Sequence, residues 1–326
     1  MQASTTLVRL LDEGAAFDAE YGQGLSDHRP MALVALERLG ADGKRLQAWA
    51  AGYEQARGLR RARPHQAWPT GDAWTGRLGE RGAWPVYRDL FRQWIDHEGG
   101  ADVLAQVLPA LMPGCAAAAF HGLIRTAYAA QVGHPGELAD GLAHWASFHL
   151  PLGEWPAVDA SEEDPVALLR RLRAGRSPAP LIAGRIADAA RDGRVNRVIA
   201  ALRVDAGTPE RLARAAAFAY AESGSFTALH LVTGTHAMRI VARFIDDAPA
   251  AWRWFWQAFA HAVVAARLQP ATSPLVLRDA PGLVAAALAS DDEHVIKLVD
   301  SCREEERAYG GVDWRRAASR ALVRAD

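Results

Sequence analysis

Hydrophobic residues recur along most of the chain at the three- and four-residue spacing of an amphipathic α-helix. Alanine, leucine and arginine fill these stretches, runs of β-branched residues are short, and no Asn-Gly or Asp-Gly pair is flanked by alternating strand-like segments. The pattern predicts an all-α protein. We expect helices at about 4–13, 30–39, 42–56, 84–97, 99–111, 115–131, 135–147, 164–174, 180–192, 195–203, 208–222, 226–245, 248–268, 281–290, 292–309 and 314–324.

Two stretches interrupt the helical pattern. Residues 57–83 contain Arg-Pro, Trp-Pro and Thr-Gly-Asp, and residues 150–163 contain Leu-Pro-Leu-Gly-Glu-Trp-Pro, all rich in residues that end helices. Both are long enough to act as loops or as a lid over a site. Neither has the low complexity of a disordered linker, and no helical repeat of fixed period occurs. We therefore expect one large multi-helix domain over residues 1–326, with a weak seam near 150–180.

The composition is that of a globular protein with mixed charges. Of the 326 residues, 50% are hydrophobic and 23% are charged, the formal net charge is -1, and the isoelectric point is near 6.8. Arginines are dispersed among acids, so nothing favours nucleic acid or a membrane surface as a partner. The N-terminal run meets acids before a long apolar stretch forms, and no apolar stretch reaches the roughly 18 residues of a membrane span. Cys115 and Cys302 have no paired spacing, and we expect a cytoplasmic protein.

Residues 290–300 place a histidine beside a lysine. On a helix, His294 and Lys297 are three residues apart and project from one face. The chain has two lysines, Lys44 and Lys297, and uses arginine elsewhere for positive charge. A buried lysine can lose its proton, whereas a guanidinium does not. Lysine at this position therefore favours a deprotonatable amine, able to act as a base or to take up carbon dioxide as a metal-binding carbamate. An exposed helix with acids in its first turn is the simpler interpretation of the same segment.

Three further histidines lie in or before apolar segments. His28 follows Ser-Asp and precedes Arg-Pro, so it stands at the N-terminus of a helix. His121 is surrounded by small apolar residues on a helix that we expect to be buried on all sides, and His230 lies between leucines. An unpaired buried imidazole costs about 1–3 kcal/mol, so each must be hydrogen-bonded in the core or bind a ligand. The residues alone leave both open.

Neighbours of these histidines carry further polar groups. Arg125 lies one turn after His121 and, if buried, must pair with an acid or with a substrate oxygen. Thr233, one turn after His230, adds a hydroxyl on the same face. His236 lies six residues after His230, which turns it about 120° away on an unbroken helix. We therefore expect His236 behind the residues that face a ligand, or on the surface.

Motifs of several common enzyme chemistries are absent. The chain has no His-Glu-x-x-His, no Gly-x-Ser-x-Gly, no Cys-x-x-Cys, no phosphate-binding glycine loop and no dinucleotide fingerprint. What remains is a set of single histidines from four distant segments, together with the lysine. Helical folds build metal sites in this way, from side chains on facing helices. Such a set suits iron, zinc, copper or nickel, and an added carboxylate-like oxygen favours iron with open positions for oxygen chemistry.

Four of these segments, taken in order, resemble the questin oxidase-like family. They are residues 28–41 (HRPMALVALERLGA), 120–128 (FHGLIRTAY), 229–234 (LHLVTG) and 292–298 (DEHVIKL). The resemblance covers about residues 20 to 305, which is nearly the whole chain. The family includes fungal enzymes that oxidatively open anthraquinone-type polyketide rings or insert oxygen in a Baeyer–Villiger-like manner, and many bacterial members without an assigned role.

The resemblance implies an all-helical, non-haem iron oxygenase. By motif, its implied Fe(II) ligands are His28, His121, His230 and His294, with a carbamate on Lys297 supplying an anionic oxygen. The implied reaction uses dioxygen to cleave an aromatic or quinone-like small molecule, or to insert oxygen into it. The substrate is expected to stack on tryptophans, and NADPH is a candidate external reductant.

Three residues are expected to act in the reaction: Lys297 as the carbamate, with Thr233 and Arg125 supporting the ligands. The third segment continues as Gly-Thr-His, which departs from the family pattern and leaves the role of His236 open. Other functions fit the same residues. A zinc-dependent hydrolase could use the same histidines, and a non-catalytic helical ligand-binding protein would bury them and the tryptophans as core. A member that kept the fold and lost the reaction is a further alternative.

Overall fold

The computed structural model describes residues 3–62, 73–157, 159–162 and 164–324. Across these ranges the chain forms sixteen α-helices and one two-stranded sheet, so the predicted all-α fold is confirmed. The helices are α1 Thr5–Gly14, α2 Arg29–Leu39, α3 Gly43–Arg57, α4 Trp84–Glu98, α5 Gly100–Leu111, α6 His121–Val132, α7 Pro135–Ser147, α8 Pro165–Leu169, α9 Ile182–Arg191, α10 Asn196–Ala201, α11 Thr208–Ser223, α12 Phe226–Val241, α13 Ala248–Ala266, α14 Ala280–Ala289, α15 Glu293–Tyr309 and α16 Asp313–Arg324.

The sheet is a short hairpin that leads into α2. Its strands, β1 (Glu20–Tyr21) and β2 (Leu25–Ser26), pair antiparallel, with the second residue of β1 opposite the first of β2. Gly22 and Gly24 in the turn have φ of 56° and 91°, a region that glycine adopts without steric cost. Strands of two residues are too short to show an alternating pattern, so the sequence did not predict them.

Helix starts follow from local chemistry. α15 begins after Asp292, whose carboxylate accepts a hydrogen bond from the backbone N–H of His294 at 2.7 Å. That carboxylate satisfies an N–H group that has no partner within the helix. α2 begins after His28 with Pro30 in its first turn, as predicted, because the fixed φ of proline suits this position.

The largest departure from the predicted helices lies just before His121. The sequence predicts one helix over residues 115–131, but α6 begins only at His121. Ala118, Ala119 and Phe120 instead have left-handed backbone conformations, with φ of 46°, 59° and 70°. A left-handed conformation costs about 1–2 kcal/mol for a residue with a Cβ, and alanine by itself favours a helix. Tertiary packing therefore overrides the local preference here.

The breaker-rich stretches are mostly irregular. After α3 the chain forms 3-10 turns at Trp74–Arg77 and Arg81–Ala83, and part of the predicted loop, residues 63–72, lies outside the described residues. Directly after the second stretch, the helix predicted over 164–174 is shortened to α8. Prolines and glycines limit regular structure in both.

Six helices form the centre of the molecule. α6 packs against α7, α12 and α2, and α15 packs against α2, α12 and α16. One continuous hydrophobic core extends from Leu7 in α1 to Ala321 in α16 and includes Leu152 and Leu168, so the chain folds as a single domain. Among the described helices, none combines the length and apolar character that crossing a bilayer requires.

Glycines let α6 and α7 approach closely. A Cβ added at Gly122 would lie 2.6 Å from the Cα of Trp145, and one added at Gly141 would lie 2.8 Å from the backbone nitrogen of Thr126. Each helix therefore presents a glycine to the backbone of the other. This contact holds the first turn of α6, which carries His121, against the core.

We predict that Gly122→Ala lowers the free energy of unfolding by about 1–3 kcal/mol, because the added methyl group must push two backbones apart. Urea denaturation measures the change. Gly52→Ala is the matched control: it lies on the exposed side of α3, where a Cβ meets no atom within 4 Å. That substitution should raise the free energy of unfolding by about 0.5–1 kcal/mol. Equal stability of the Gly122→Ala variant and the wild type would contradict the close approach.

Candidate metal-binding site

Four histidines from distant parts of the chain meet in space. The ring centroids of His28 and His121 are 4.6 Å apart, as are those of His28 and His294. His121 and His230 are 4.9 Å apart, and His230 and His294 close the group at 5.8 Å. The structure therefore brings together the four histidines that the sequence analysis singled out.

The start of a helix positions each ring. His28 directly precedes α2, His121 is the first residue of α6, His294 is the second residue of α15, and His230 lies one turn into α12. Four helix N-termini thus converge on one site. Their partial positive charges oppose protonation of the imidazoles and favour negatively charged groups nearby.

Three of the rings are held by hydrogen bonds from one nitrogen. The Nδ1 of His121 donates to the carbonyl of Ala118, and that of His230 donates to the carbonyl of Phe226 at 2.8 Å. The Nδ1 of His294 lies 3.3 Å from a carboxylate oxygen of Asp292. Such contacts fix the orientation and tautomer of a metal-binding histidine and turn its other nitrogen towards the ligand.

Three nitrogens of the cluster lack hydrogen-bond partners in the described part of the chain. The Nε2 atoms of His121 and His294 are buried without a hydrogen bond, as is the Nδ1 of His28. Buried polar atoms are normally satisfied, so three orphaned imidazole nitrogens in one cluster call for a shared partner. A metal ion bound by neutral imidazoles meets this requirement.

Burial keeps these imidazoles neutral. Desolvation, followed by the nearby Lys297 ammonium, lowers the pKa of His28 well below its usual value. Desolvation and then His230 lower the pKa of His121 in the same way, and desolvation lowers that of His294 despite its contact with Asp292. Neutral imidazole is the form that binds metal ions.

Lys297 lies one turn after His294 on α15 and is almost completely buried, with 1% of its surface exposed. Within the described ranges, no hydrogen bond or salt bridge involves its side-chain nitrogen. Desolvation lowers its pKa from 10.5 to about 8, although Glu293 opposes the shift. A substantial fraction of the amine is therefore neutral near physiological pH, which is the property that its residue type suggested.

Glu293, which directly precedes His294, was not among the predicted site residues. Its carboxylate is buried, lies 3.7 Å from the Nδ1 atoms of both His28 and His294, and is paired with Arg57 at 2.8 Å. Ligand atoms of His28, Glu293 and His294 all lie within 4.8 Å of one another. Acids are common in the first turn of a helix, so its sequence position did not distinguish it from a capping residue.

The four histidines and Glu293 line a cavity of about 340 Å³. Apolar side chains form much of the rest of its wall, including Leu25, Ile182 and Phe226. Phe226 packs edge-on against His230 and His294, with ring centroids 4.8 and 4.7 Å apart. A cavity of this size with a few convergent polar groups is typical of a small-molecule site.

The expected tryptophan platform is not found there. Among the described residues, no tryptophan lines the cavity, and the aromatic side chains on its wall are Tyr21 and Phe226. Trp84, Trp145 and Trp256 are instead fully buried in the core. Helical spacing of tryptophans reports a buried face and does not show whether that face borders a cavity.

The left-handed turn before α6 also borders the site. Ala118 and Ala119 line the cavity, and the carbonyl of Ala118 receives the hydrogen bond from His121. A regular helix through this region would turn that carbonyl along the helix axis. Strained backbone of this kind is concentrated at functional sites. Here it orients a histidine.

Arg125 and Thr233, the two expected supporting residues, have partners of their own. Arg125 is buried and forms a two-pronged salt bridge with Glu137, with Asp140 at 3.4 Å. This is the acid pairing that the sequence analysis required of a buried arginine. Thr233 donates to the carbonyl of Leu229 in the preceding turn of α12 at 3.4 Å. Neither side chain lines the cavity.

His236 faces away from the cavity, as its spacing from His230 predicts. It is buried, and its Nδ1 lies 2.6 Å from Glu305, which also pairs with Arg239. It is therefore part of a separate polar cluster. His261 is likewise buried, with its Nδ1 donating to the carbonyl of Gln257 at 2.8 Å on α13.

Fold and site together define an all-α protein in which four segments bring imidazoles to the wall of a cavity of small-molecule size, the kind of arrangement that helical folds use to bind metal ions. The model of the family described as "Questin oxidase-like" matches residues 25–302. The chain therefore belongs to this family. The matched region contains all four histidines and Lys297. A search of curated proteins finds no match. Family membership supports an oxidoreductase that acts on a small-molecule, polyketide-like substrate.

We predict that the stability of the metal-free protein rises with pH through the alkaline range because of Lys297. Between about pH 8 and 10.5 the folded state binds fewer protons at this site than the unfolded state, so raising the pH favours folding. Relative to Lys297→Met, the free energy of unfolding should rise by about 2 kcal/mol between pH 7 and 9.5. Urea denaturation in buffer free of carbon dioxide measures it.

The control for this prediction is Lys44→Met, which changes the other lysine of the chain on the exposed surface of α3. Its pH dependence should follow the wild type. A Lys297→Met variant whose stability changes with pH as the wild type does would show that the buried lysine is not the group responsible.

Proposed function

We propose that this protein is a non-haem iron oxygenase that uses dioxygen to cleave an aromatic, polyketide-like substrate or to insert oxygen into it. The observation that carries the proposal is the closed group of four imidazoles, each within 4.6 to 5.8 Å of its neighbours, at the wall of the cavity. His28, His121, His230 and His294 would hold Fe(II). The bound ion would activate dioxygen by passing electrons to it, and the oxidised substrate, together with NADPH where a single oxygen atom is inserted, would be the source of those electrons.

Lys297 is proposed to supply an anionic ligand as a carbamate. Its buried amine is partly neutral, and a neutral amine nitrogen forms a bond to the carbon of carbon dioxide with release of one proton. The product carries a negative charge that four neutral imidazoles do not provide. The converging helix N-termini favour an anion at this point. Arginine could not replace lysine because its guanidinium keeps its proton.

Glu293 offers a second source of negative charge. Together with His28 and His294 it forms a set of two histidines and one carboxylate within 4.8 Å, the ligand combination typical of iron oxygenases. Both of its oxygens, however, accept hydrogen bonds from Arg57 at 2.8 and 2.9 Å. We therefore propose that the Glu293 carboxylate does not bind the ion itself and instead orients His28 and His294.

The cavity wall would hold the substrate. Tyr21 and Phe226 present aromatic surface, Leu25 and Ile182 present aliphatic surface, and together they can enclose a flat ring next to the histidines. Burial of the ring in an apolar cavity excludes water from the reacting atoms and strengthens the polar interactions within the site. The carbonyl of Ala118 keeps the His121 ring in place during turnover.

The proposal predicts near-stoichiometric iron in protein purified without oxygen, and its loss in His121→Ala. Elemental analysis measures both. His261→Ala is the matched control, because His261 is also buried and also donates from Nδ1 to a backbone carbonyl, but lies on α13 outside the cavity. Iron in the wild type that persists in His121→Ala contradicts the ligand set. Zinc in place of iron would favour a hydrolase, and absence of metal would favour a ligand-binding protein.

A second prediction distinguishes the Lys297 carbamate from the Glu293 carboxylate as the anionic ligand of the ion. Lys297→Arg keeps a positive charge but cannot form a carbamate, so it should abolish both iron binding and turnover of aromatic polyketides under oxygen, assayed with and without NADPH. Glu293→Gln keeps the shape of the side chain and removes its charge. It should retain most of the iron with an affinity lowered about 10- to 100-fold, as loss of a supporting contact does. Full iron content in Lys297→Arg together with complete loss in Glu293→Gln would make Glu293 the ligand.

A further inference from the structure

The cavity next to the histidines contains more positive than negative side chains. Arg57, Arg81 and Arg185 line it, together with the acids Glu20 and Glu293. Among these five charged groups, the arginines exceed the acids by one. The cavity is therefore suited to a ligand that carries a negative charge.

Two of the three arginines already have acidic or aromatic neighbours. Arg57 donates to both oxygens of Glu293. Arg81 lies 3.7 Å from Glu20, and its guanidinium stacks 4.8 Å above the ring of Phe148. Their positive charges are thus partly balanced by the protein itself.

Arg185 is different. It lies on α9 and is half-buried, and no hydrogen bond or ion pair joins its side chain to any residue within 3–62, 73–157, 159–162 or 164–324. Its Nε is buried without a partner. The carboxylate of Asp188, one turn further along α9, accepts hydrogen bonds from Arg191 and Ser177 instead. A buried guanidinium N–H without an acceptor is unfavourable, so Arg185 is prepared to bind an anionic group that comes from outside the chain.

The remaining wall fits an aromatic body. Ile182, one turn before Arg185 on α9, and Phe226 at the start of α12 both line the cavity. A ligand with a flat apolar ring and a carboxylate at one end could place its ring between these side chains and its charge on Arg185. The cavity volume of about 340 Å³ lies within the range of small-molecule sites.

We propose that the ligand of this cavity is an aromatic carboxylate and that Arg185 binds its carboxylate group. The planar guanidinium offers two parallel N–H groups that match the two oxygens of a carboxylate. The aromatic ring then lies beside the histidines. This inference deepens the proposed function by naming the class of substrate, and it rests on that function only for the identity of the ring as the reacting part.

The test uses two probes of nearly equal shape, 2-naphthoate and its neutral amide, 2-naphthamide. Isothermal titration calorimetry measures their affinities for the full chain, both metal-free and iron-loaded. The naphthoate should bind about tenfold more tightly, or better, in both forms, because a charge-assisted pair is lost with the amide. Arg185→Gln should make the two affinities equal. Measurement on metal-free protein removes direct binding of the carboxylate to a metal.

Arg191→Gln is the matched control. It lies on the same helix, its side chain is 74% exposed, and it pairs with Asp188 outside the cavity. That variant should keep the preference for naphthoate. Equal affinities in the wild type, an unchanged preference in Arg185→Gln, or no binding of either probe would each overturn the proposal. A protein without iron that still prefers naphthoate through Arg185 would refute only the oxygenase, so the two proposals fail independently.

Discussion

The structure depends on burying four imidazoles and an amine together in a helical core. Desolvation disfavours the charged form of each group, and it lowers the pKa of His28, His121, His294 and Lys297. Neutral rings still need partners for their nitrogens. Two carbonyls and Asp292 hold the Nδ1 atoms of His121, His230 and His294. Within the described residues, the Nε2 atoms of His121 and His294 and the Nδ1 of His28 have no hydrogen bond, so these three nitrogens are left for a common ligand.

The positions of four helix N-termini bring these groups together. Four helices begin at the same place, so the groups near their first turns lie close together although they are far apart in sequence. The arrangement also sets the electrostatic character of the site. Converging N-termini and the arginines on the cavity wall favour negative charge, while the wall itself is largely apolar. The same features suit a carbamate, the buried Glu293 carboxylate and an anionic substrate.

Close packing keeps this geometry although it strains the backbone locally. Gly122 allows α6 to lie against the backbone of α7, and Ala118, Ala119 and Phe120 accept left-handed conformations immediately before His121. Neither feature would be stable in an isolated peptide. Both persist because the surrounding core is continuous and leaves the segment no relaxed alternative. The strained turn and the tight helix contact therefore act together on one histidine.

Much of the fold and part of the site could be predicted from the sequence. The helical period predicted the all-α class, and most helix boundaries, because local periodicity and capping residues such as Asp292 report local structure directly. His28, His121, His230 and His294 stood out as isolated histidines in or before apolar helices, which need a partner, and the family resemblance implied that they form one group. The use of lysine at position 297 in an arginine-rich chain pointed to a buried amine, which the structure confirms.

Only the tertiary structure decided the rest. Alanine-rich residues 115–120 favour a helix by propensity, and packing alone imposes the left-handed turn. Glu293 looked like an ordinary acid in a first helical turn until the fold placed it between two histidines and Arg57. Arg185 was one arginine among many until α9 brought it to the cavity, where its Nε has no hydrogen-bond partner among the described residues. Local sequence determines which helices form and which faces are buried, whereas the partners of a charged group depend on contacts between residues that are distant along the chain.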